Sequence, residues 1–395
     1  EAARRESLRT IRAACRLKHR GRCRAVVVCG CLPQRYRDRA LELLPEVDAW
    51  VGLDDLRRIG AVVRRLARGE RGLLTVSPTS QALFEPRGPG VLFTGGPFAY
   101  LKIAEGCNHR CSFCAIPGIR GRYRSRPLRG ILREAERLLE HGVRELNLIS
   151  QDTTAYGRDR GDGADLCRLL TELGRLGGSF WIRLLYAYPA RVTERLLETM
   201  AAVPQVCRYL DVPIQHSHPA VLRAMRRADT IRAVPGLAQR VRAALPGAAL
   251  RTTCLVGFPG ETERQFEHLL AHIRRAQYEH LGVFVFSPEE GTAAGARLDA
   301  PAPALAAERR ARLLAAQREL VARRAAARVG AEDTVLLERP PRGPRGEGRA
   351  RSTRDAPRID GAVRVRGLPP NAAAGTFVRV RYTAAAGYDM KARAI

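Results

Sequence analysis

Cys107-Asn108-His109-Arg110-Cys111-Ser112-Phe113-Cys114 sets three thiols at CxxxCxxC spacing directly after an apolar, strand-like run. Three thiolates can hold three irons of a four-iron cluster and leave the fourth iron open to the amino and carboxylate groups of S-adenosylmethionine (SAM). A purely structural cluster would take four protein ligands. Two other readings of the same residues stay open at this level: a zinc site with His109 as its fourth ligand, and three unconnected core thiols. Gly106 allows a tight turn ahead of the first ligand, and Phe113 would pack beside the cluster.

Such a loop needs a scaffold that brings it to one end of a sheet. Between Tyr100 and Phe286 apolar runs alternate with helical patterns, the strand candidates being 100–104, 145–150, 182–186, 209–212, 250–256 and 282–286. Strands separated by helix-length connections pair in parallel, so the series predicts an α/β fold, an open, partial (β/α)6 barrel. In barrels of this kind the reactive groups sit at the C-terminal ends of strands, and Cys107 falls at such an end.

The flanks read differently. Residues 1–76 give helix, strand (24–29) and helix, part of a small α/β domain. Because the chain opens at Glu1 directly on the helical pattern Leu8, Ile11, Cys15, this domain is expected to be truncated at its N-terminus. Residues 77–97 read as a linker, 98–325 as the barrel domain with a helix at 302–328, and 326–395 as a small β-barrel of oligonucleotide-binding type. Its strand candidates are 334–337, 362–365 and 376–382.

At 395 residues and 45% apolar content the chain can bury two or three cores, which excludes a disordered scaffold. It has no apolar run of membrane-spanning length and no apolar signal stretch at its start, so a cytoplasmic protein without membrane contact is expected. In that compartment ten cysteines are ligands or core residues rather than disulfides. The net charge of +28 comes almost wholly from arginine, with Lys18, Lys102 and Lys391 the only lysines. It fits polyanion contact and a compositional arginine bias equally well.

Other chemistry-bearing residues carry weaker readings. Cys15, Cys23 and Cys29 fit buried structural positions, as do Cys167, Cys207 and Cys254. His216 and His218, after the fourth strand candidate, fit local hydrogen bonding better than proton transfer. Pro259-Gly260-Glu261 reads as a turn into a helix.

Residues 100–127 (YLKIAEGCNHRCSFCAIPGIRGRYRSRP) resemble the methylthiotransferase branch of the radical SAM superfamily. The same branch is matched at 148–157 (LISQDTTAYG), 211–226 (DVPIQHSHPAVLRAMR), 256–262 (VGFPGET) and 286–292 (FSPEEGT), so the resemblance spans nearly the whole chain. Its RimO subfamily methylthiolates the β-carbon of an aspartate in small-subunit ribosomal protein S-twelve; its MiaB subfamily modifies an adenosine of tRNA. Tyr186-Ala187-Tyr188-Pro189, Glu289-Glu290, 115–121 (AIPGIRG) and 355–361 (DAPRIDG) are similar to the RimO side.

The resemblance implies a two-cluster enzyme. One 4Fe-4S cluster on Cys107, Cys111 and Cys114 would cleave SAM, with Phe113, Gln151 and Gly257 as SAM contacts. A second, held by the N-terminal domain, would handle the transferred sulfur. Of its three cysteines only Cys31 stands at a matching position, and the other two are expected upstream of Glu1. The implied partners are ribosomal protein S-twelve, free or in the small subunit, and an electron donor of flavodoxin or ferredoxin type, with rRNA contact through a TRAM-like C-terminal barrel. The alternatives are a tRNA methylthiotransferase of MiaB type and a nucleic-acid-binding protein with a structural cluster; three ligands in place of four argue against the latter.

Overall fold

The structure is a computed structural model that describes residues 2–83, 85, 95–341, 343 and 346–395. The chain divides into two compact units. One comprises Glu1–Phe84, Glu105–Arg124 and Ser287–Arg297; the other comprises Glu85–Ala104, Ser125–Phe286 and Leu298–Ile395.

The larger unit is built on a six-stranded parallel sheet whose spatial order follows the sequence: Phe98–Lys102, Glu145–Ile149, Trp181–Leu184, Val206–Asp211, Ala249–Val256 and His280–Val285. All six strand expectations are met, with ends displaced by a few residues. One face of the sheet is apolar: Leu101, Leu146, Leu148, Ile182, Leu184, Leu210 and Leu250 are fully buried against the helices. Local signals set those helices. Asp165 and Thr193 cap Leu166–Gly174 and Glu194–Ala202 by accepting backbone N–H bonds, and Thr262 with Gln265 forms a reciprocal capping box ahead of Glu263–Ala276.

The long helix Pro303–Ala326 leads into a closed five-stranded barrel. Around it the strands run Glu332–Arg339, Gly348–Ser352, Val363–Arg366, Asp389–Ala394 and Phe377–Ala386. Its interior is Val335, Leu337, Val363, Val365, Val380 and Tyr382. The strands Gly348–Ser352 and Asp389–Ala394 were not expected from the sequence.

In the smaller unit the strands Val27–Cys29, Ala49–Val51 and Leu73–Thr75 form a parallel sheet in that order, around a fully buried Trp50. Cys15 is buried as expected, but Cys29 is exposed, because its strand is only three residues long and ends there. The expected linker 77–97 falls partly outside the described residues. Its described start is tied down: Asp55 accepts from the Ser77 N–H at 2.8 Å, and Asp54 accepts from the Ser80 hydroxyl at 2.7 Å and the Gln81 N–H at 2.6 Å.

Candidate functional site

The three-thiol loop folds on its own backbone. The Cys107 N–H donates to the Gly121 carbonyl at 3.1 Å, the Cys114 N–H to the Cys111 carbonyl at 3.1 Å, and the Tyr123 N–H to Asn108 Oδ1 at 3.0 Å. The Ala294 N–H closes on the Ser112 carbonyl at 2.8 Å. Gly106 has a φ of 74°, and a Cβ there would lie 2.1 Å from the Arg122 carbonyl oxygen, so no side chain fits. This crossing of the chain presents Cys107 at an open cavity of about 480 Å³, lined also by Asn108, His109, Arg110, Pro117, Gly121 and Arg122.

Cys107, Cys111 and Cys114 are half-buried and not in disulfides, and Phe113 beside them is half-buried. Among the described residues no three His, Cys, Asp or Glu side chains converge closely enough to hold a single metal ion. In a four-iron cluster each thiolate bonds a different iron, so its sulfurs stand further apart, and the donor set of three thiols on one short loop fits that group.

Cys31 begins the helix Cys31–Tyr36, and its sulfur accepts a bond from Arg120 Nη2 at 3.3 Å. Arg120 also donates through Nη1 to Glu105 at 2.8 Å. The residue that ends the short helix Ile116–Arg120 thus ties Cys31 to the start of the three-thiol loop, a link sequence reasoning did not find. Arg35 holds Glu289 at 2.6 Å and Arg39 holds Glu290 at 3.0 Å, which gives the Glu289-Glu290 pair defined partners.

In the larger unit Gln151 is exposed just beyond the second strand, and Gly257 ends the fifth with a φ of 71°. The Gly257 N–H donates to Glu261, which also bonds His216 at 3.2 Å and Arg309 at 3.2 Å. His216 is fully buried and accepts the His218 N–H at 2.9 Å, so its role is the local bonding expected. Burial pushes the Cys207 thiol up to about 12 and the Cys254 thiol higher still, as suits core residues. Cys167 is half-buried and packs against the same core.

The inner face of the sheet carries a feature that sequence reasoning missed. Each of its six strands sends one polar side chain to the segment 351–360 of the C-terminal barrel. The Tyr100 hydroxyl approaches the Pro357 carbonyl at 3.4 Å, Glu145 accepts from Arg351 at 2.6 Å, and Arg183 donates to the Thr353 carbonyl at 2.7 Å. The Tyr209 hydroxyl donates to Asp360 at 2.7 Å, Arg251 donates to the same carboxylate, and His280 Nε2 donates to the Arg354 carbonyl at 2.8 Å. The C-terminal barrel is therefore bonded across the full width of the sheet. A hint was legible: Glu145 and Arg183 are charged residues inside strands otherwise built for burial.

An open parallel sheet of six βα strands, with a CxxxCxxC loop following the first, defines a radical SAM protein. Residues 101–273 match the Radical SAM superfamily and 329–395 the TRAM domain. The chain is 44% identical over 397 residues to the ribosomal protein uS12 methylthiotransferase RimO of Desulforudis audaxviator (strain MP104C), covering 100% of this chain and 86% of that relative. It is 45% identical over 391 residues to the RimO of Synechococcus sp. (strain JA-3-3Ab), covering 99% and 82%. The chain belongs to the RimO family of radical SAM methylthiotransferases. Among solved structures it resembles the radical SAM methyltransferase TsrM from Kitasatospora setae, with a TM-score of 0.54 and 17% identity over 69% of this chain and 57% of that one, a likeness of fold. Among the described residues no helix is long and apolar enough to cross a membrane.

Proposed function

We propose that the chain is a cytoplasmic methylthiotransferase that adds a methylthio group to the β-carbon of an aspartate in ribosomal protein uS12. Cys107, Cys111 and Cys114 hold a 4Fe-4S cluster in this reading, and Cys31 is one ligand of a second. The observation that carries it is the three-thiol loop, folded around Gly106 with Cys107 at an open cavity, in a chain of the RimO family.

A cluster held by Cys107, Cys111 and Cys114 would supply the electron for reductive cleavage of SAM, the chemistry that radical hydrogen abstraction requires. The chain's residues prepare that step. Gly106 and Gly121 let the backbone cross tightly enough to set Cys107, and Asn108 fixes the loop by accepting the Tyr123 N–H. Arg120, shared between Cys31 and Glu105, keeps a positive charge against the sulfur that would serve the second cluster. Phe113, Gln151 and Gly257 are the proposed SAM contacts. An electron donor of flavodoxin or ferredoxin type would complete the system. Contact with rRNA is assigned to the TRAM barrel, where Arg364, Lys391 and Arg393 are exposed on adjoining strands.

The test is anaerobic reconstitution of a full-length version with iron and sulfide, then incubation with SAM, reductant and either uS12 or tRNA. 5′-Deoxyadenosine and a methylthio adduct on uS12, read by mass spectrometry, are expected. An adduct on tRNA alone would replace the substrate assignment with the MiaB type, and no 5′-deoxyadenosine at all would remove the radical chemistry.

A further inference from the structure

The outer surface of the C-terminal barrel sets cations side by side across its strands. In register, Arg349 lies beside Arg364 and Arg364 beside Lys391; two residues further on, Arg366 lies beside Arg393 and Arg393 beside Arg381. All six side chains are exposed, because they alternate with residues such as Val363, Val365 and Ala392 that fill the barrel. Neighbours in such a register have Cβ atoms about 4.5–5.5 Å apart, and like charges placed there destabilise a sheet. Arg366 is paired with Glu347 at 2.6 Å and Arg381 with Glu332 at 2.6 Å, while Glu338 lies 3.7 Å from Arg349 and is also engaged by Arg351 at 2.6 Å. Arg364, Lys391 and Arg393, on the two central strands of this surface, have no hydrogen-bond or ion-pair partner among the described residues. Three adjoining cations kept at the cost of their mutual repulsion call for a polyanion that bonds them together.

The aromatic residues decide which part of a polyanion fits. Residues 329–395 contain three, and each is engaged away from the cations: Phe377 packs on Trp181 at 5.1 Å, Tyr388 stacks on His280 at 6.4 Å, and Tyr382 is buried in the barrel core. None of them offers a stacking platform for a nucleobase beside the cations. Contacts to phosphates alone carry no sequence, so the surface suits a phosphodiester backbone whatever its bases.

The chain as a whole carries a net charge of +28. A ribosomal protein that neutralises phosphates with lysine and arginine is itself cationic, so free uS12 and this chain repel each other. With uS12 on RNA, the sign of the target reverses. The segment 351–360 bonds the barrel to all six strands of the sheet, so RNA held on the barrel takes a fixed place relative to that sheet. We propose that the chain acts on uS12 already seated on RNA, not on free uS12, with Arg364, Lys391 and Arg393 docking the phosphodiester backbone without reading its sequence. The assignment rests on the uS12 reading above and names the state in which that substrate is taken.

The test compares two forms of the substrate. The reconstituted full-length enzyme and its Arg364→Gln/Lys391→Gln/Arg393→Gln variant receive SAM, reductant and either free uS12 or small ribosomal subunits carrying unmodified uS12. Mass spectrometry of the methylthio mark gives kcat/KM for each. Wild type is expected to prefer the subunit by about tenfold or more at low salt and to lose that preference as salt rises. The variant should lose most of the preference while its rate on free uS12 does not fall. Its urea midpoint should not fall either, since it removes opposed like charges. In anisotropy titrations a labelled fragment of small-subunit RNA and an unrelated duplex of equal length should bind wild type alike, and the variant about tenfold more weakly. Equal kcat/KM on the two forms of uS12, a preference that the variant keeps, or binding of one RNA alone overturns the proposal. So does a preference for subunits without any RNA binding, the sign of an acidic protein partner. A mark on tRNA and on neither form of uS12 overturns the uS12 reading itself.

Discussion

Glu145 and Arg351, 206 positions apart in the chain, are joined by a 2.6 Å bond with both side chains buried. The other oxygen of Glu145 accepts from Arg183 at 2.7 Å, so one carboxylate bridges two buried guanidiniums, and Glu338 pairs with Arg351 at 2.6 Å. Burial alone would raise the Glu145 carboxyl, but Arg183 and Arg351 outweigh it and hold it below the usual carboxylate range. Glu145→Gln leaves Arg183 without its counter-charge and Arg351 with Glu338 alone, and a loss of about 3–5 kcal/mol is expected from breaking a buried pair. Urea unfolding should show it as one transition shifted to lower denaturant, because the bond ties the C-terminal barrel to the sheet. A shift below about 1 kcal/mol, the range of surface pairs, would count against that role.

The same bond shows what the sequence could not reveal. The six sheet strands were legible because one face of each is apolar, Leu146, Leu148 and Leu250 being among the residues that supply it, and because helix-length connections separate them. Gly348–Ser352 and Asp389–Ala394 were not, since GRARS and DMKARA carry arginine, lysine and alanine where an alternating apolar signal was sought. Ala49–Val51 and Leu73–Thr75 are too short to register. The thiol loop was legible because its three cysteines lie within eight residues. Arg120 on Cys31 and the six-strand contact to 351–360 join residues far apart in the chain, and no local pattern encodes such pairings.

Replacing Cys107, Cys111 or Cys114 with alanine should separately abolish 5′-deoxyadenosine formation and remove the iron of one cluster, about four per chain, after reconstitution. Cys29→Ala is the control. That thiol is exposed yet matches no ligand position, so iron and product should be unchanged. Equal iron loss in the control would show that binding follows thiol exposure rather than the loop.

Gly106→Ala tests whether the backbone crossing sets the cluster loop. Its Cβ would lie 2.1 Å from the Arg122 carbonyl oxygen and 2.6 Å from that of Gly121, at a φ of 74°. Adopting the native loop should then cost about 1–3 kcal/mol or more. Iron incorporation is expected to fall severalfold while circular dichroism of the helices stays the same. Full iron uptake by Gly106→Ala would mean that the loop reshapes freely around its metal.

Asp211 predicts a pH dependence with a defined sign. Burial, opposed by Arg251, raises its carboxyl from 3.8 to about 6. The folded chain therefore holds this proton more tightly than the unfolded chain does. The resulting stability is complete below about pH 4 and is lost as pH rises through about 6. In Asp211→Asn the side-chain oxygen can still accept the Tyr186 N–H, but there is no proton to lose, so this contribution to the slope should vanish. The stability of the wild type relative to the variant should fall by on the order of a few kcal/mol between about pH 4 and pH 6. Urea midpoints measured across that interval check it. Parallel profiles for the two proteins would mean that Arg251 compensates the ionised carboxylate in full, leaving Tyr186 equally well held at either end of the range.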